Sequence, residues 1–197
     1  MTSAPTGADA LVGVLALQGD FREHEHALAA CGAATRRVRT VEDLEGIDAL
    51  VVPGGESTTM SMLAERSGLL EPLRELTSSG IPVFGTCAGA ILLSTHIRDG
   101  RADQHCLGAI DIVTRRNGFG RQVDSFTEPV HITGLDGPAF TAVCIRAPVI
   151  DDVGDGVQVL ARIDGHPALV RQGAIMVSIF HPELADDTRV HELFLSH

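Results

Sequence analysis

Short apolar runs alternate with stretches of helical hydrophobic spacing through the first half of the chain. The apolar runs are typical of buried strands, and apolar residues three or four positions apart are typical of amphipathic helices. The predicted strands cover Leu11–Leu17, Thr35–Val38, Ala49–Val52 and Pro82–Gly85. The predicted helices cover Phe21–Ala30 (Asp20 as N-cap, Cys31-Gly32 as stop), Ser57–Ser79 with a break near Gly68, and Ala88–Ser94. This alternation predicts a three-layer α/β/α fold with a mostly parallel central sheet.

The second half is richer in strand patterns, and some of these strands are expected to be antiparallel additions to the sheet. They cover Gly108–Thr114, Val130–Ile132, Ala139–Ile145, Val157–Ile163, Ala168–Arg171 and Ala174–Ile179. No internal repeat, low-complexity tract or composition break marks a linker. We therefore predict a single domain over residues 11–197, preceded by a disordered N-terminal extension over residues 1–10.

The composition indicates the size of the protein and the cellular compartment in which we expect it. The 197 residues, 44% of them hydrophobic, correspond to one ordinary α/β domain. No segment approaches the roughly 20 apolar residues of a membrane-spanning helix, and the N-terminus lacks a signal-peptide pattern. The four cysteines lie far apart without a CxxC pair, which indicates reduced thiols. We expect a soluble, cytoplasmic protein.

The charged residues exclude several kinds of chemistry. A formal net charge of −11 and the lack of a basic stripe argue against nucleic acid as a partner. All fifteen basic residues are arginine, and lysine is absent. The chain therefore cannot provide a Schiff-base lysine, a Walker-type phosphate loop or an amine for covalent attachment of pyridoxal phosphate.

A cysteine lies at a predicted strand-to-helix turn, in Gly85-Thr86-Cys87-Ala88-Gly89. Glycines two residues to either side are typical of a nucleophile elbow, because side chains there would collide with neighbouring backbone. The helix N-terminus favours a thiolate, and the Ala88 N–H can stabilise a developing oxyanion. A free cysteine is often only a small buried hydrophobe. We accept that interpretation for Cys31, Cys106 and Cys144, whereas the elbow favours a nucleophile at Cys87.

A base and a residue to orient it stand together in His181-Pro182-Glu183, directly after a predicted strand. An extended segment places His181 and Glu183 on the same side, so the carboxylate can hold the second ring nitrogen. Alone, such a pair is more often a solvated loop pair. One histidine and one glutamate are fewer than the three protein ligands of a catalytic zinc site, so no metal is expected. His24 and His26 are expected on the helix surface.

A third strand end carries the glycine-rich segment Pro53-Gly54-Gly55-Glu56-Ser57. Consecutive glycines permit close backbone approach and can present N–H groups to an oxyanion, although such a segment can also be an ordinary turn. A nucleophile, an oriented base and a glycine loop at three strand ends together indicate an active site.

With these motifs the chain resembles the class I, or triad-type, glutamine amidotransferases, and among them the glutaminase subunits of pyridoxal 5′-phosphate synthase, the PdxT or SNO family. The resemblance runs from Leu11 to about Glu192. Its segments are Leu17-Gln18-Gly19 with Arg22-Glu23-His24, Pro53 to Met60 (PGGESTTM), the cysteine elbow, Arg116 to Phe126 (RNGFGRQVDSF), Ile145-Arg146-Ala147-Pro148 and Phe180-His181-Pro182-Glu183. The elbow and the H-P-E segment belong to the whole class, and the others point to this one family.

The resemblance implies a class I amidotransferase-like, flavodoxin-like fold and a set of residue roles. Cys87 would attack the glutamine amide, His181 would transfer protons and Glu183 would orient His181. Residues at positions that bind L-glutamine in the family are Gly55, Glu56, Ser57, Arg116, Ile145 and Arg146. Gly54, Gly55 and Ala88 are the expected oxyanion hole.

The resemblance also implies hydrolysis of L-glutamine through a γ-glutamyl thioester and delivery of ammonia to a synthase subunit of the PdxS family. That partner would build pyridoxal 5′-phosphate from a pentose phosphate and a triose phosphate, and this chain would need no cofactor. Two alternatives are a cysteine peptidase or stress-response hydrolase with the same elbow, and an inactive binding module. The presence of all three triad residue types argues against the second.

Overall fold

The computed structural model describes residues 10–116 and 125–196. Residues 1–9 of the predicted N-terminal extension lie outside the described residues. So do residues 117–124 of the segment Arg116 to Phe126, which carries part of the family resemblance. The strands are β1 (Leu11–Leu15), β2 (Ala34–Val38), β3 (Ala49–Val52), β4 (Val83–Thr86), β5 (Ser94–Ile97), β6 (Ile110–Arg115), β7 (Ser125–Val130), β8 (Phe140–Ile145), β9 (Val149–Val153), β10 (Gln158–Ile163), β11 (His166–Gln172) and β12 (Ile175–Ser178). The helices are α1 (Phe21–Ala30), α2 (Ser57–Arg66), α3 (Leu70–Ser78), α4 (Ala88–Leu93) and α5 (Arg189–Leu195), with 3₁₀ turns at Glu42–Leu44 and Pro182–Leu184.

The central sheet has seven strands in the order β10-β11-β12-β4-β3-β1-β2. The strands from β12 to β2 pair in parallel, whereas β11 and β10 are joined to this block by antiparallel pairing. The predicted mostly parallel sheet with antiparallel additions is therefore confirmed.

Phe84 and Gly85, two adjacent residues of β4, show which helix covers each face of the central sheet. The Phe84 ring packs against His191 and Phe194 of α5. A methyl group at Gly85 would instead meet Leu93 of α4 at 2.5 Å. Because successive strand residues point to opposite faces of a sheet, α5 and α4 cover opposite faces. This arrangement confirms the predicted three-layer α/β/α fold.

The largest differences from the predicted elements lie outside the central sheet. β5 and β9 pair with β6 in a three-stranded sheet, and β7 pairs with β8 in a separate two-stranded sheet. β5 and β9 were not predicted, and β7 begins at Ser125 rather than Val130. The missed sequences are short or polar: β9 carries two aspartates, and most of β7 is exposed and includes a proline. Apolar alternation is therefore too weak to reveal them.

The predicted helix over Ser57–Ser79 is observed as α2 and α3, separated as expected around Gly68, whose φ of 74° lies in the left-handed region. Helix α1 has the predicted bounds, but Asp20 makes no side-chain capping hydrogen bond. None of the helices in the described ranges has the length and apolar character needed to span a bilayer.

The parallel strands end at one edge of the central sheet. The segments that follow β1, β3, β4 and β12 at this edge contain Gln18, Gly54-Gly55, Cys87 and His181. Parallel pairing thus brings together residues that lie up to 163 positions apart in sequence, and this edge is where open α/β sheets bind their ligands.

Candidate active site

Cys87 stands at a strained turn between β4 and α4. Its φ of 48° is one of three positive values among the described non-glycine residues. The Cys87 N–H donates to the Ser178 carbonyl of β12 at 2.8 Å, which anchors the turn to the neighbouring strand. The side chain is buried, with the whole residue 6% exposed, and Sγ lies 3.9 Å from the Ile145 carbonyl. This is the geometry expected of a nucleophile elbow.

The glycines that flank the elbow are packed closely against neighbouring segments. A methyl group at Gly85 would lie 3.0 Å from the carbonyl carbon of Gly89. A methyl group at Gly89 would collide with the Val52 carbonyl group of β3. The backbone collision predicted from the sequence is therefore present at Gly89. At Gly85 the shortest contact, 2.5 Å, is with the Leu93 side chain, and the contact with backbone is close without a collision.

His181 and Glu183 form a buried pair beside Cys87. His181 Nδ1 lies 2.7 Å from Glu183 Oε1, and the two side chains are 5% and 0% exposed. The His181 N–H donates to the Val143 carbonyl of β8 at 2.8 Å, which holds the segment after β12 in place. Because Nδ1 is occupied by Glu183, Nε2 is the ring nitrogen left to face the thiol. Cys87, His181 and Glu183 are thus in series, which is the arrangement that a nucleophile, its base and an orienting carboxylate require.

The pKa values of this pair are shifted in opposite directions. Burial alone would lower the pKa of His181, but hydrogen bonds to Cys87 and Glu183 outweigh it and raise this pKa to about 10. Burial would raise the pKa of Glu183, yet His24 and His181 hold it well below its usual range. At neutral pH Glu183 is therefore ionised, and the site favours a protonated His181.

The glycine loop after β3 lies directly against the histidine ring. A methyl group at Gly54 would collide with His181 Cε1, and one at Gly55 would collide with the Gln18 side chain. The Gly54 carbonyl accepts a hydrogen bond from the Asp20 N–H at 3.2 Å, just before α1. The loop is therefore in contact with the base on one side and with the start of α1 on the other.

A cavity of about 370 Å³ opens above these residues. Most of the predicted site residues line it, together with three that the sequence did not single out as ligands. Its lining is Gln18, Asp20, Gly55, Glu56, Ser57, Cys87, Ala88, Ile91, Arg116, Ile145, Arg146 and His181. Of the predicted site residues, Gly54 and Glu183 are outside this lining and contact His181 instead.

An arginine and a glutamate from distant segments pair at the cavity. Arg116 Nη2 donates to Glu56 Oε1 at 2.8 Å, and its Nη1 donates to Thr58 Oγ1 at 2.9 Å. Glu56 also accepts the Thr59 backbone N–H at 2.7 Å at the start of α2. Burial would raise the pKa of Glu56, but these hydrogen bonds and Arg116 lower it. Both charges are therefore held in fixed positions.

Ile145, the last residue of β8, and Arg146, which follows it, also line the cavity. Arg146 has a φ of 43°, and Ile145 remains 37% exposed. Cys144, one position earlier, is fully buried as predicted, whereas Cys31 and Cys106 are only partly buried, contrary to the prediction. Cys31 caps the C-terminus of α1, and Cys106 lies in the loop between β5 and β6, where neighbouring segments cover only part of the side chain.

His24 contradicts the sequence prediction of a surface position. It is 0% exposed, and its Nε2 lies 3.4 Å from Glu183 Oε2. The prediction used helix spacing alone and did not foresee that α5 and the H-P-E turn cover this face of α1. His26 is exposed as predicted.

Several residues around the site were not recognised from the sequence. Gln104 donates to Ser57 Oγ at 3.0 Å, and Asp99 accepts the Arg116 N–H at 2.8 Å. Both lie in a loop without a recognisable motif. Gln18 and Asp20 do carry a signal, because they follow β1 at the same sheet edge as the other site residues.

Asp20, His181 and Glu183 are also near enough for a shared ion, with one ligand atom from each within 4.8 Å of the others. However, both carboxylates approach the same nitrogen, Nδ1, at 2.7 Å from Glu183 and 3.6 Å from Asp20. The shorter distance is that of a charge-assisted hydrogen bond. The arrangement therefore favours a proton held between His181 and Glu183.

Comparison with known proteins shows the family to which this chain belongs. The SNO glutamine amidotransferase family matches residues 14–197. The chain is 56% identical over 188 residues to the pyridoxal 5′-phosphate synthase subunit PdxT of Mycolicibacterium vanbaalenii, covering 94% of this chain and 96% of that protein. It is 53% identical to the PdxT subunit of a Parafrankia species, covering 93% and 91%.

Solved structures agree with these relatives. A crystal structure of a glutamine amidotransferase, 51% identical, superimposes with a TM-score of 0.88 over 93% of this chain and 96% of that chain. PurLQS from Thermotoga maritima, only 16% identical, has a TM-score of 0.64 over 96% and 95% of the two chains and shows the shared fold alone.

Proposed function

This chain belongs to the SNO glutamine amidotransferase family, and from that premise we propose that it hydrolyses L-glutamine to L-glutamate and ammonia. The ammonia is supplied to a synthase subunit for the synthesis of pyridoxal 5′-phosphate. The observation that carries the proposal is the alignment of Cys87, His181 and Glu183 beside one cavity, with His181 Nδ1 2.7 Å from Glu183 Oε1.

The triad supports a two-step reaction. The Cys87 thiolate attacks the side-chain amide carbon of glutamine, and the protonated His181 donates its Nε2 proton to the leaving ammonia. This step forms a γ-glutamyl thioester. His181, now neutral, takes a proton from water, which attacks the thioester and releases glutamate. Glu183 keeps His181 in the tautomer that both proton transfers require.

Backbone N–H groups are suited to stabilise the oxyanion formed in each step. The Ala88 N–H follows the nucleophile at the start of α4, and we assign it as one donor. We assign the second donor to the Gly54-Gly55 segment, which contacts His181 and lines the same cavity. A γ-carbonyl oxygen bound between these two segments would face donors while its carbon faces Cys87 Sγ.

The paired charges favour free glutamine over a peptide substrate. Glu56 and Arg116 present a carboxylate and a guanidinium at the cavity. These groups complement the α-ammonium and α-carboxylate of a free amino acid, which an internal peptide residue lacks. Glutamate release from glutamine, with no cleavage of peptides, separates this function from that of a cysteine peptidase.

Removal of the Arg116 guanidinium should weaken substrate binding. Replacing Arg116 by alanine is expected to raise the KM for glutamine about tenfold or more, because a hydrogen bond to a charged group contributes about 1.5–3 kcal/mol and each 1.4 kcal/mol is tenfold. The kcat should change by less than about threefold, since Arg116 does not contact the triad. The measurement is steady-state glutamate release over a range of glutamine concentrations.

The neighbouring Arg115 offers a matched control. It is paired with Asp151 at 2.9 Å and lies outside the cavity lining, so Arg115→Ala should leave KM unchanged. An unchanged KM in Arg116→Ala would contradict the assignment of this residue to glutamine binding.

The surface around the site suits a partner subunit. Ile145 and Leu184, two of the large hydrophobic side chains that the described residues expose, are 37% and 39% exposed and adjoin the cavity and the triad. The start of α1 lies at the same edge and contacts the glycine loop through Asp20. We infer that the synthase subunit docks over this edge and receives ammonia there.

The isolated chain is expected to be a poor glutaminase that its synthase subunit activates about a hundredfold or more, the effect of completing an oxyanion hole. Gly55 has a φ of 149°, which a residue with a side chain rarely adopts. The Gly54-Gly55 peptide can therefore turn its N–H away from the site until docking at α1 holds it in place. The measurement is glutamate release by the purified chain, alone and titrated with the synthase subunit. A full rate without the partner would show that the site is preformed and that this switch does not exist.

A further inference from the structure

A second pair of histidines is buried beside Glu183, and the proposed reaction does not use it. His24 of α1 and His191 of α5 are both 0% exposed. His24 Nδ1 lies 3.0 Å from His191 Nε2, while His24 Nε2 lies 3.1 Å from Thr86 Oγ1 and 3.4 Å from Glu183 Oε2. His24 therefore connects the triad carboxylate to α5.

The hydrogen-bond partners indicate the protonation of this pair. His191 Nδ1 and Glu183 Oε2 are both buried without a hydrogen-bond partner in the described part of the protein. Burial, with a smaller effect from His24, lowers the pKa of His191 to about 3, so it is neutral. With its proton on Nε2, His191 donates to His24 Nδ1 and avoids burying an unpaired N–H. The His24 proton is then on Nε2, facing Thr86 and Glu183.

Packing alone does not explain why histidines occupy these positions. The Phe84 ring makes edge contacts with both imidazoles, with centroid distances of 6.3 Å and 5.9 Å. An apolar pair would fill such a space without leaving His191 Nδ1 unpaired, and an unpaired buried polar atom costs about 1–3 kcal/mol. A buried polar pair that is retained at this cost, next to a catalytic carboxylate, indicates a role in the site.

We propose that His24, supported by His191, is a positioning residue for the triad. Its Nε2 is hydrogen-bonded to Thr86 Oγ1 and lies 3.4 Å from Glu183 Oε2, and this polar contact keeps the otherwise unpaired Oε2 in place so that Oε1 stays directed at His181 Nδ1. A glutamate carboxylate turns easily about its last torsion, and the Glu183 side chain, 0% exposed, has no access to solvent that could hold the second oxygen. Hydrogen bonds behind a functional ligand commonly contribute about 10–100-fold to its effectiveness. This inference rests on the proposed triad.

The first test compares two replacements of His24 in the complex with saturating synthase subunit. His24→Leu removes the donor and is expected to lower kcat about 10–100-fold with little change in KM. His24→Gln keeps an N–H that can reach the same oxygen and should retain most of the kcat. Equal losses of kcat in the two variants, or a loss seen only in KM, would overturn the proposal. His191→Leu, which leaves His24 in place but removes its support, should show a smaller loss of kcat and provides the answer if His24→Leu does not fold.

A double-mutant cycle separates positioning from a general effect on the fold. In a Glu183→Ala background His24 has no carboxylate to hold, so His24→Leu should lower kcat by less than about twofold further. If His24→Leu lowered kcat by the same factor in both backgrounds, His24 would act through the stability of the fold. That result would overturn the positioning role but not the proposed triad. A Glu183→Ala variant with the full rate would instead overturn the proposed triad, and the role of His24 with it.

Discussion

Replacing Cys87 by alanine is expected to lower glutamine hydrolysis by about ten-thousandfold or more, which is the range observed when a triad nucleophile is removed. Without the thiol no γ-glutamyl thioester can form, and among the described residues that line the cavity Cys87 is the only cysteine. The other three cysteines are poor nucleophiles: burial, with a smaller effect from Cys87, raises the pKa of Cys144 to about 12. Burial likewise raises the pKa values of Cys31 and Cys106. The measurement is glutamate release in the complex with the synthase subunit.

The three remaining cysteines serve as matched controls. Replaced by alanine one at a time, they should leave the rate within about threefold of the original, since surface or core changes away from the site act mainly on stability. Cys144 is the strictest control because it is buried one residue before the Ile145 carbonyl that Cys87 contacts. A Cys87→Ala protein that still hydrolyses glutamine would end the proposed mechanism.

His181→Asn is expected to be about a hundredfold less active than Glu183→Gln, although both should be strongly impaired. His181 transfers the proton in both steps, whereas Glu183 only orients it, and in a comparable triad the orienting carboxylate contributes about a hundredfold less than the base. The geometry supports this order, because Glu183 contacts Nδ1 and lies outside the cavity lining. The measurement is kcat for each variant at saturating glutamine and synthase subunit.

A variant that combines His181→Asn with Glu183→Gln provides the control for the two single changes. Residues that act as a unit are not additive, so adding Glu183→Gln to His181→Asn should cost little more than His181→Asn alone. If Glu183→Gln were the more severe single change, the orienting group would be misassigned, and Asp20, 3.6 Å from His181 Nδ1, would be the next candidate.

Local sequence was sufficient to single out the residues that we propose carry the chemistry. The elbow at Cys87 can be recognised because a cysteine between a strand and a helix, with glycines two residues to either side, is a pattern contained in five consecutive residues. The H-P-E segment was expected to be extended, whereas Pro182–Leu184 forms a 3₁₀ turn. The turn still brings the Glu183 carboxylate to His181 Nδ1, so the predicted pairing holds although the predicted backbone was wrong. The parallel core was also predictable from local sequence, since buried strands are short continuous apolar runs. The residues that met at one edge could thus be proposed as one site.

The sequence by itself therefore determined the sheet class and the identity of the triad candidates, because these depend on patterns within a few residues. Only the tertiary structure decided which distant groups surround them. The pairing of Arg116 with Glu56 across 60 positions, and of His24 with His191 across 167, depends on how loops and helices pack over the sheet. Helix spacing shows which residues of α1 share a face, but it cannot show which face a distant helix will cover. The burial of His24 against Glu183, and with it the support of the triad, follows from that packing alone.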